Sequence, residues 1–142
     1  MEFVRDVVPF LNKHHRGVVA TTRPNGSTHS SIVVCGAYKN KAAFVSVYPN
    51  SQKIINLRRN PRCTVLSVTE NWREYVVVEG AAELFDYSNT ESEKLRPMLR
   101  AVYMACSDSP HPDWEEYDKA MVTQKAVVVL VEPSKLYGLL RD

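Results

Sequence analysis

The sequence predicts a mainly β fold, an antiparallel barrel with peripheral helices, on three observations. Six short runs rich in β-branched and apolar residues are spread along the 142-residue chain. Most are joined by hairpin-length turns, and helical periodicity is confined to the start of the chain and to the intervals between the third and fourth and the fifth and sixth runs. The five glycines, Gly17, Gly26, Gly36, Gly80 and Gly138, never fall into GxGxxG or Walker spacing, which disfavours a doubly wound parallel sheet built around a phosphate loop. With 44% hydrophobic and 24% charged residues, and no repeat, linker or low-complexity tract, residues 1–142 read as one globular domain with a real core.

The elements follow in order. Phe3, Val4, Val7, Val8, Phe10 and Leu11 recur at helical spacing, with Pro9 starting or splitting the helix and Gly17 expected to end it. Val18 to Thr22 is a β-branched strand that meets Arg23-Pro24-Asn25-Gly26, where the Asn-Gly pair is expected to supply the positive φ angles of a hairpin turn. Ser30 to Cys35 forms the second strand, Lys39 to Lys41 the turn, and Ala42 to Tyr48 the third strand. After Pro49, Asn50 and Ser51 offer N-cap side chains to a short basic helix over Gln52 to Arg59, which Asn60-Pro61 terminates. Cys63 to Thr69 and Tyr75 to Phe85 are further strands around a polar turn at Asn71. Ser88 with Glu91 and Asp113 with Glu116 have capping-box spacing, predicting helices over about Asn89 to Ala105 and Trp114 to Val122. Ala126 to Val131 is almost continuously apolar, which implies a strand buried on both faces, and Glu132-Pro133 breaks the run.

Charge is distributed unevenly. Between Val7 and Thr69 there are nine Lys or Arg and no Asp or Glu, whereas from Glu70 onward there are fourteen acids and eight bases. An acid-free stretch of that length builds an electropositive surface suited to phosphates, carboxylate-rich ligands or nucleic acid. Nucleic-acid binding is the second class this surface fits, but no aromatic side chains interleave the basic cluster and no helix-turn-helix pair is present, so nucleic acid is not an expected partner. Membrane is not one either. No apolar run approaches the roughly 18 residues of a spanning helix, and Glu2 and Asp6 stand where a signal peptide carries its basic region, so the chain reads as soluble and cytoplasmic.

Several familiar chemistries lack their residues. Cys35, Cys63 and Cys106 are odd in number and widely spaced, which argues against a disulfide framework or zinc knuckle. Adjacent His14 and His15 diverge by about 100° on a helix and cannot chelate one ion well, so no metal site is expected. No GxSxG elbow exists, and neither Cys35 nor Cys63 has the context of an activated thiol. Trp114, Tyr117 and Met121 recur at helical spacing as a core or dimer stripe. What remains is Ser51, Gln52, Lys53 and Asn56, where a helix start follows a strand: free backbone N–H groups, a hydroxyl and an ammonium make an anion site, with Lys53 and Asn56 on one face. The same features also describe an ordinary solvated, capped helix. Arg58, Arg59 and Arg62 extend the positive surface or are plain exposed charges, and His29 at the entrance of the second strand is placed where it can touch a ligand.

The order Ala20-Thr21-Thr22, Asn25-Gly26, Ser46-Val47, Ser51-Gln52-Lys53, Asn56-Leu57-Arg58-Arg59-Asn60-Pro61-Arg62 and Tyr75-Val76-Val77-Val78-Glu79-Gly80 resembles the split β-barrel flavin and deazaflavin oxidoreductases related to pyridoxamine 5′-phosphate oxidase. The tail from His111 to Thr123, with Leu136-Tyr137-Gly138, looks most like the branch that uses coenzyme F420, an 8-hydroxy-5-deazaflavin. The resemblance implies a six-stranded antiparallel split barrel of the FMN-binding type. It also implies a homodimer with two cofactor sites at the interface, and hydride transfer to an unsaturated or conjugated small substrate.

Carried over by position, Lys53 and Asn56 match residues that hold the cofactor phosphate, with Ser51 and Gln52 at the same helix start. His29 and Ser31 fall where strand-two side chains reach the cofactor, and Ser46, Val47 and Tyr75 match residues lining the ring pocket. Gln52-Lys53 replaces the two-basic pair of true pyridoxamine phosphate oxidases, which disfavours that reaction and tight FMN binding. An FMN-dependent oxidoreductase and a non-enzymatic cofactor-binding protein are the alternatives. No obligatory catalytic side chain follows, since the chemistry resides in the cofactor.

Overall fold

In the computed structural model, which describes residues 1–141, the chain opens with a π-helical turn, Phe3–Val7, that passes into a four-residue helix α1, Val8–Leu11. Pro9 sits in the first turn of α1, where its missing N–H is not needed. Gly17 does not end this helix. It lies inside strand β1, Arg16–Thr22, packed against the Cys35 side chain, and α1 has already stopped at Leu11.

Six more strands follow: β2 Thr28–Val34, β3 Gly36–Tyr38, β4 Lys41–Ser46, β5 Arg62–Val68, β6 Tyr75–Phe85 and β7 Val127–Leu139. All pair antiparallel in one sheet of order β2-β1-β5-β6-β7-β4-β3. Its two edge strands, β2 and β3, are consecutive in the chain and joined at Cys35, so the sheet curls back on itself as a split barrel. The expected six strands are seven. At Cys35 the backbone N–H turns to His15 O, the chain leaves β1, and three residues pair instead with β4 through a turn in which Lys39 and Asn40 both have positive φ. Three residues are too few to register as a period.

Other turns also differ from expectation in instructive ways. In the loop between Thr22 and Thr28 only Gly26 has positive φ, at 87°, while the Asn25 side chain accepts hydrogen bonds from Ser27 N–H and Oγ–H. Strand β7 runs through Pro133 to Leu139 because the register slips there: Glu79 faces Lys135 and Gly80 faces Pro133, leaving Ser134 as a bulge whose hydroxyl donates to Glu79 O. A proline at a bulge removes no ladder hydrogen bond.

Helix α2 spans Gln52–Arg59 as predicted, and extended Asn60 before Pro61 ends it. Helix α3, Ser92–Ser107, starts later than the capping-box reading, because Ser88 turns its N–H and hydroxyl to Asp86 instead. Helix α4, Trp114–Thr123, is capped as expected by Asp113 Oδ1, which accepts from Glu116 N–H at 3.1 Å.

Period-two burial then sorts the side chains. Val19, Val33, Val65, Val76, Val78, Phe44 and the odd-numbered valines of β7 fill the barrel with α1 and α2. Val128 and Leu130 point outward against Leu95, Leu99 and Val102 of α3 and Tyr117 and Met121 of α4. This is the two-faced burial that the continuous apolar run required. All three cysteines are free and buried, and burial pushes each thiol up to about 12. His15 joins the β2–β3 bend to the end of α3, with Nδ1 2.8 Å from Cys35 O and Nε2 2.7 Å from an Asp108 carboxylate oxygen. No helix among the described residues is long and apolar enough to cross a membrane, and no cluster of three His, Cys, Asp or Glu among them is placed to hold a metal.

Candidate functional site

Ser51 occupies the N-cap position of α2 in extended conformation, yet its hydroxyl caps nothing. Its Oγ is buried and without a hydrogen-bond partner among the described residues, as are His29 Nδ1 and Ser31 Oγ. His29 and Ser31 alternate with buried Val33 along β2, opposite Thr21 and Val19, and α2 packs across β1 and β2. Buried polar atoms are almost always paired, and each orphan costs about 1–3 kcal/mol. These three fall on residues singled out from the sequence for a ligand.

Lys53, in the first turn of α2, is half-buried and forms no ion pair with any described residue. Burial pulls its ammonium below the usual lysine value. Asn56 is placed differently from the expected phosphate contact. It is fully buried, its Nδ2 donates to Thr21 Oγ1 at 3.0 Å, and its Oδ1 accepts from Gln52 Nε2 at 2.8 Å. Both ends of the carboxamide are therefore engaged in seating α2 on β1. Arg58 pairs with Asp86 at 2.7 Å. Burial pushes the Asp86 carboxyl up, but hydrogen bonds from Ser88 and Arg58 outweigh it, and the net displacement is downward. Arg59 donates to Thr22 O. Two of the three arginines thus serve the fold.

Lys53 opens onto a cleft of about 650 Å³ that Ser46, Val47 and Tyr48 also line, at the end of β4. Ser46 is buried, its hydroxyl donating to Tyr48 O at 3.2 Å. Ile32 and Val34 of β2 form one edge, and the opposite wall comes from α3, α4 and the loop between them: Tyr103, Ser107, His111, Glu116 and Tyr117. Sequence reasoning missed this wall. Its signal was the Tyr103/Ser107 pair four residues apart beside the aromatic stripe of α4, which reads as core until the sheet position is known. Tyr75 is not brought to the cleft within one protomer. It begins β6 on the outer face of the sheet, opposite Val68 and Leu139.

His29, Ser31 and Ser51 do not themselves line this cleft, but an unpaired, partly desolvated cation at a helix start that opens onto an apolar cleft suits a ligand with an anionic end and an apolar body. A flavin, with its phosphate and flat ring system, is one such ligand. The match of residues 3–139 to the model for the pyridoxamine 5′-phosphate oxidase family makes the assignment specific: the chain belongs to that family of flavin-binding, split-barrel oxidoreductases.

Solved structures agree on the fold. A conserved hypothetical protein of Mycobacterium tuberculosis superposes with a TM-score of 0.77 at 22% identity, over 97% of this chain and 84% of that one. A pyridoxamine 5′-phosphate oxidase-related, FMN-binding protein of Nostoc punctiforme gives 0.69 at 17% identity, over 97% and 84%. An F420 reductase gives 0.61 at 18% identity, over 91% and 94%.

Proposed function

We propose that the protein is a coenzyme F420-dependent oxidoreductase, a cytoplasmic homodimer that acts on an unsaturated or conjugated small organic substrate. The observation that carries this reading is the unpaired ammonium of Lys53 in the first turn of α2, two residues from the unpartnered Ser51 hydroxyl, with further buried, unpartnered atoms on His29 and Ser31 of β2, a strand that α2 packs across. A phosphate at the start of α2 would satisfy the Lys53 charge and the free N–H groups of the first turn. The acid-free stretch from Val7 to Thr69 favours a coenzyme that adds a glutamate tail to its phosphate. When bound, such a coenzyme supplies the hydride chemistry. The chain's own residues bind and orient: Ser46 and Val47 border the ring space, and Ile32, Val34 and Val102 give it an apolar lining. FMN is the second reading, favoured by the family's flavin chemistry.

Titration of purified protein separates the two. A colourless preparation that binds deazaflavin at least ten-fold more tightly than FMN is the expected result; a yellow preparation with flavin absorbance peaks overturns it in favour of FMN.

The apolar runs Val76–Val78 and Val127–Val131 are buried within the protomer and are not free to form a dimer interface. The uncovered apolar surface is the outer face of the sheet, where Ile32 is 86% exposed, Val34 60%, Leu139 48% and Tyr137 43%. Patches of this kind mark interfaces. Tyr75 lies on the same face, so dimerisation is its route to a cofactor. Sedimentation at micromolar concentration should give a dimer that Ile32→Glu dissociates; a wild-type monomer would refute it.

A further inference from the structure

The β2–β3 bend and the end of α3 meet at close quarters. A Cβ at Gly36 would lie 2.5 Å from Ala105 O, so the two backbones touch there and the helix itself has no room to shift. Past that contact the chain leaves α3 at Asp108, in left-handed conformation with φ 62°, and runs as a loop to Asp113, the cap of α4. Glycine takes such a position without strain, whereas a residue with a Cβ pays about 1 kcal/mol. An aspartate stands here, and its carboxylate reaches back across the contact to His15.

The His15 ring has acceptors at both nitrogens. Nδ1 lies 2.8 Å from Cys35 O and Nε2 2.7 Å from the Asp108 carboxylate. A carbonyl and a carboxylate only accept, so both contacts are hydrogen bonds only when the ring carries both protons. A neutral ring has one proton, and its other nitrogen then turns a lone pair on an oxygen. The two partners differ in what they lose. Cys35 is fully buried, so its carbonyl has no water to turn to, whereas the Asp108 side chain is 58% exposed. The neutral ring therefore keeps Nδ1–H on Cys35 O and lets Asp108 go to solvent.

The other charged groups around the ring have partners of their own or carry no acid. Lys13, His14 and Arg16 flank it in the chain, and Glu70 and Glu74 face it from the β5–β6 turn. Arg16 pairs with Glu70 at 3.1 Å, Glu74 accepts the Arg141 N–H, and the His14 ring packs on Phe10. The thiols of Cys35 and Cys106, pushed up to about 12 by burial, are uncharged. Asp108 is the carboxylate that His15 reaches among the described residues.

We infer that His15 is a proton-operated latch: as an imidazolium it ties Asp108, and with it the α3–α4 loop that brings His111 to the cleft wall, to the β2–β3 bend, and loss of one proton frees the loop. The latch goes beyond the proposed function and is a property of the free protein, whichever cofactor the Lys53 end of the cleft takes.

Hydrogen exchange over residues 107–113, with the intrinsic effect of pH on exchange divided out, tests the latch from about pH 5 to about pH 8, the span in which histidine changes charge. No cofactor is needed. Protection of the loop should fall about three- to five-fold as pH rises across that span. Asp108→Gly keeps the left-handed turn and removes the carboxylate, so it should fold and show the lower level throughout. Asp108→Asn should hold the higher level throughout, because a carboxamide accepts from Nε2–H or donates to its lone pair as the ring requires. The loop's own histidine works in the opposite sense: His111 Nδ1 accepts the Asp113 N–H at 3.0 Å, a bond that a proton on Nδ1 would break, so its charging loosens the loop toward acid. Nitrogen-15 NMR of the rings should show two N–H groups on His15 at the acid end and one, on Nδ1, once the loop is released. Protection that is flat or rises with pH, the same fall in Asp108→Gly, or a His15 ring with a single proton at the acid end would overturn the inference.

Discussion

Gly80→Ala should destabilise the fold by about 3 kcal/mol and lower the melting midpoint by roughly 10 °C, the largest stability loss expected from adding one methyl group to this chain. A Cβ at Gly80 would lie 1.7 Å from Glu132 O and 2.8 Å from Glu132 C. Both are backbone atoms and cannot swing aside, so β7 itself must shift. It must do so at the bulge, where Gly80 faces Pro133 and Ser134 bonds to Glu79 O, in the middle of the longest pairing in the sheet. The cost is steric and not conformational, and Gly26→Ala provides the contrast: nothing lies within 4 Å there, but φ is +87°, which costs about 1 kcal/mol. Denaturant unfolding of both variants measures the difference. A Gly80→Ala loss no greater than that of Gly26→Ala would mean that the two strands are not held together at this point as described.

The bulge also marks where sequence reading loses the fold. Periodicity located β6 to the residue and α2 to the residue, because a run opened by Tyr75 and three valines and a basic helix that Asn60-Pro61 stops each carry their own signal. It stopped β7 at Glu132-Pro133, since proline is a strand breaker unless a register slip spares its missing N–H, and a register slip is a property of the partner strand. The bend at Cys35 was hidden for the same reason. Nothing local distinguishes one long strand from two short ones that pair with opposite edges of the sheet.

The candidate site divides along the same line. Ser51 and Lys53 share one helix start, so a strand followed by a cap and a helix was enough to find them, whereas Ser46 and Val47, which line the cleft with Lys53, came from the family resemblance. His29 was flagged from its place at the entrance of the second strand and Ser31 from the family resemblance; that α2 packs across the β1–β2 hairpin bearing them is a tertiary contact no local pattern carries. Asn56 shows the limit of helical-face arguments: three residues after Lys53 it shares a face, but that face is wide, and Asn56 sits on the part turned inward to Thr21. The wall bearing His111 was invisible because its aromatic residues serve the second core and the cleft at once.

Lys53→Ala should weaken cofactor binding by roughly ten-fold to more than a hundred-fold, the loss of one charge-assisted hydrogen bond of about 1.5–3 kcal/mol. The fold should tolerate the change. A cation in the first turn opposes the helix dipole, and this one is also desolvated without a counter-charge, so its removal costs little stability. The pH dependence has a definite sign. Burial lowers the ammonium's pKa in the free protein and a bound phosphate raises it again, so affinity is full below the free-protein value and falls as pH rises through it. Lys53→Ala should abolish that alkaline loss. The control is Lys41→Ala, in the β3–β4 hairpin and 3.6 Å from Glu132, which should leave affinity within about two-fold if attraction is local rather than a general effect of the basic half. Calorimetry with deazaflavin and with FMN, across pH, measures both variants. Equal small losses for the two lysines would remove the phosphate site from the start of α2 and leave the basic half as a diffuse electropositive surface.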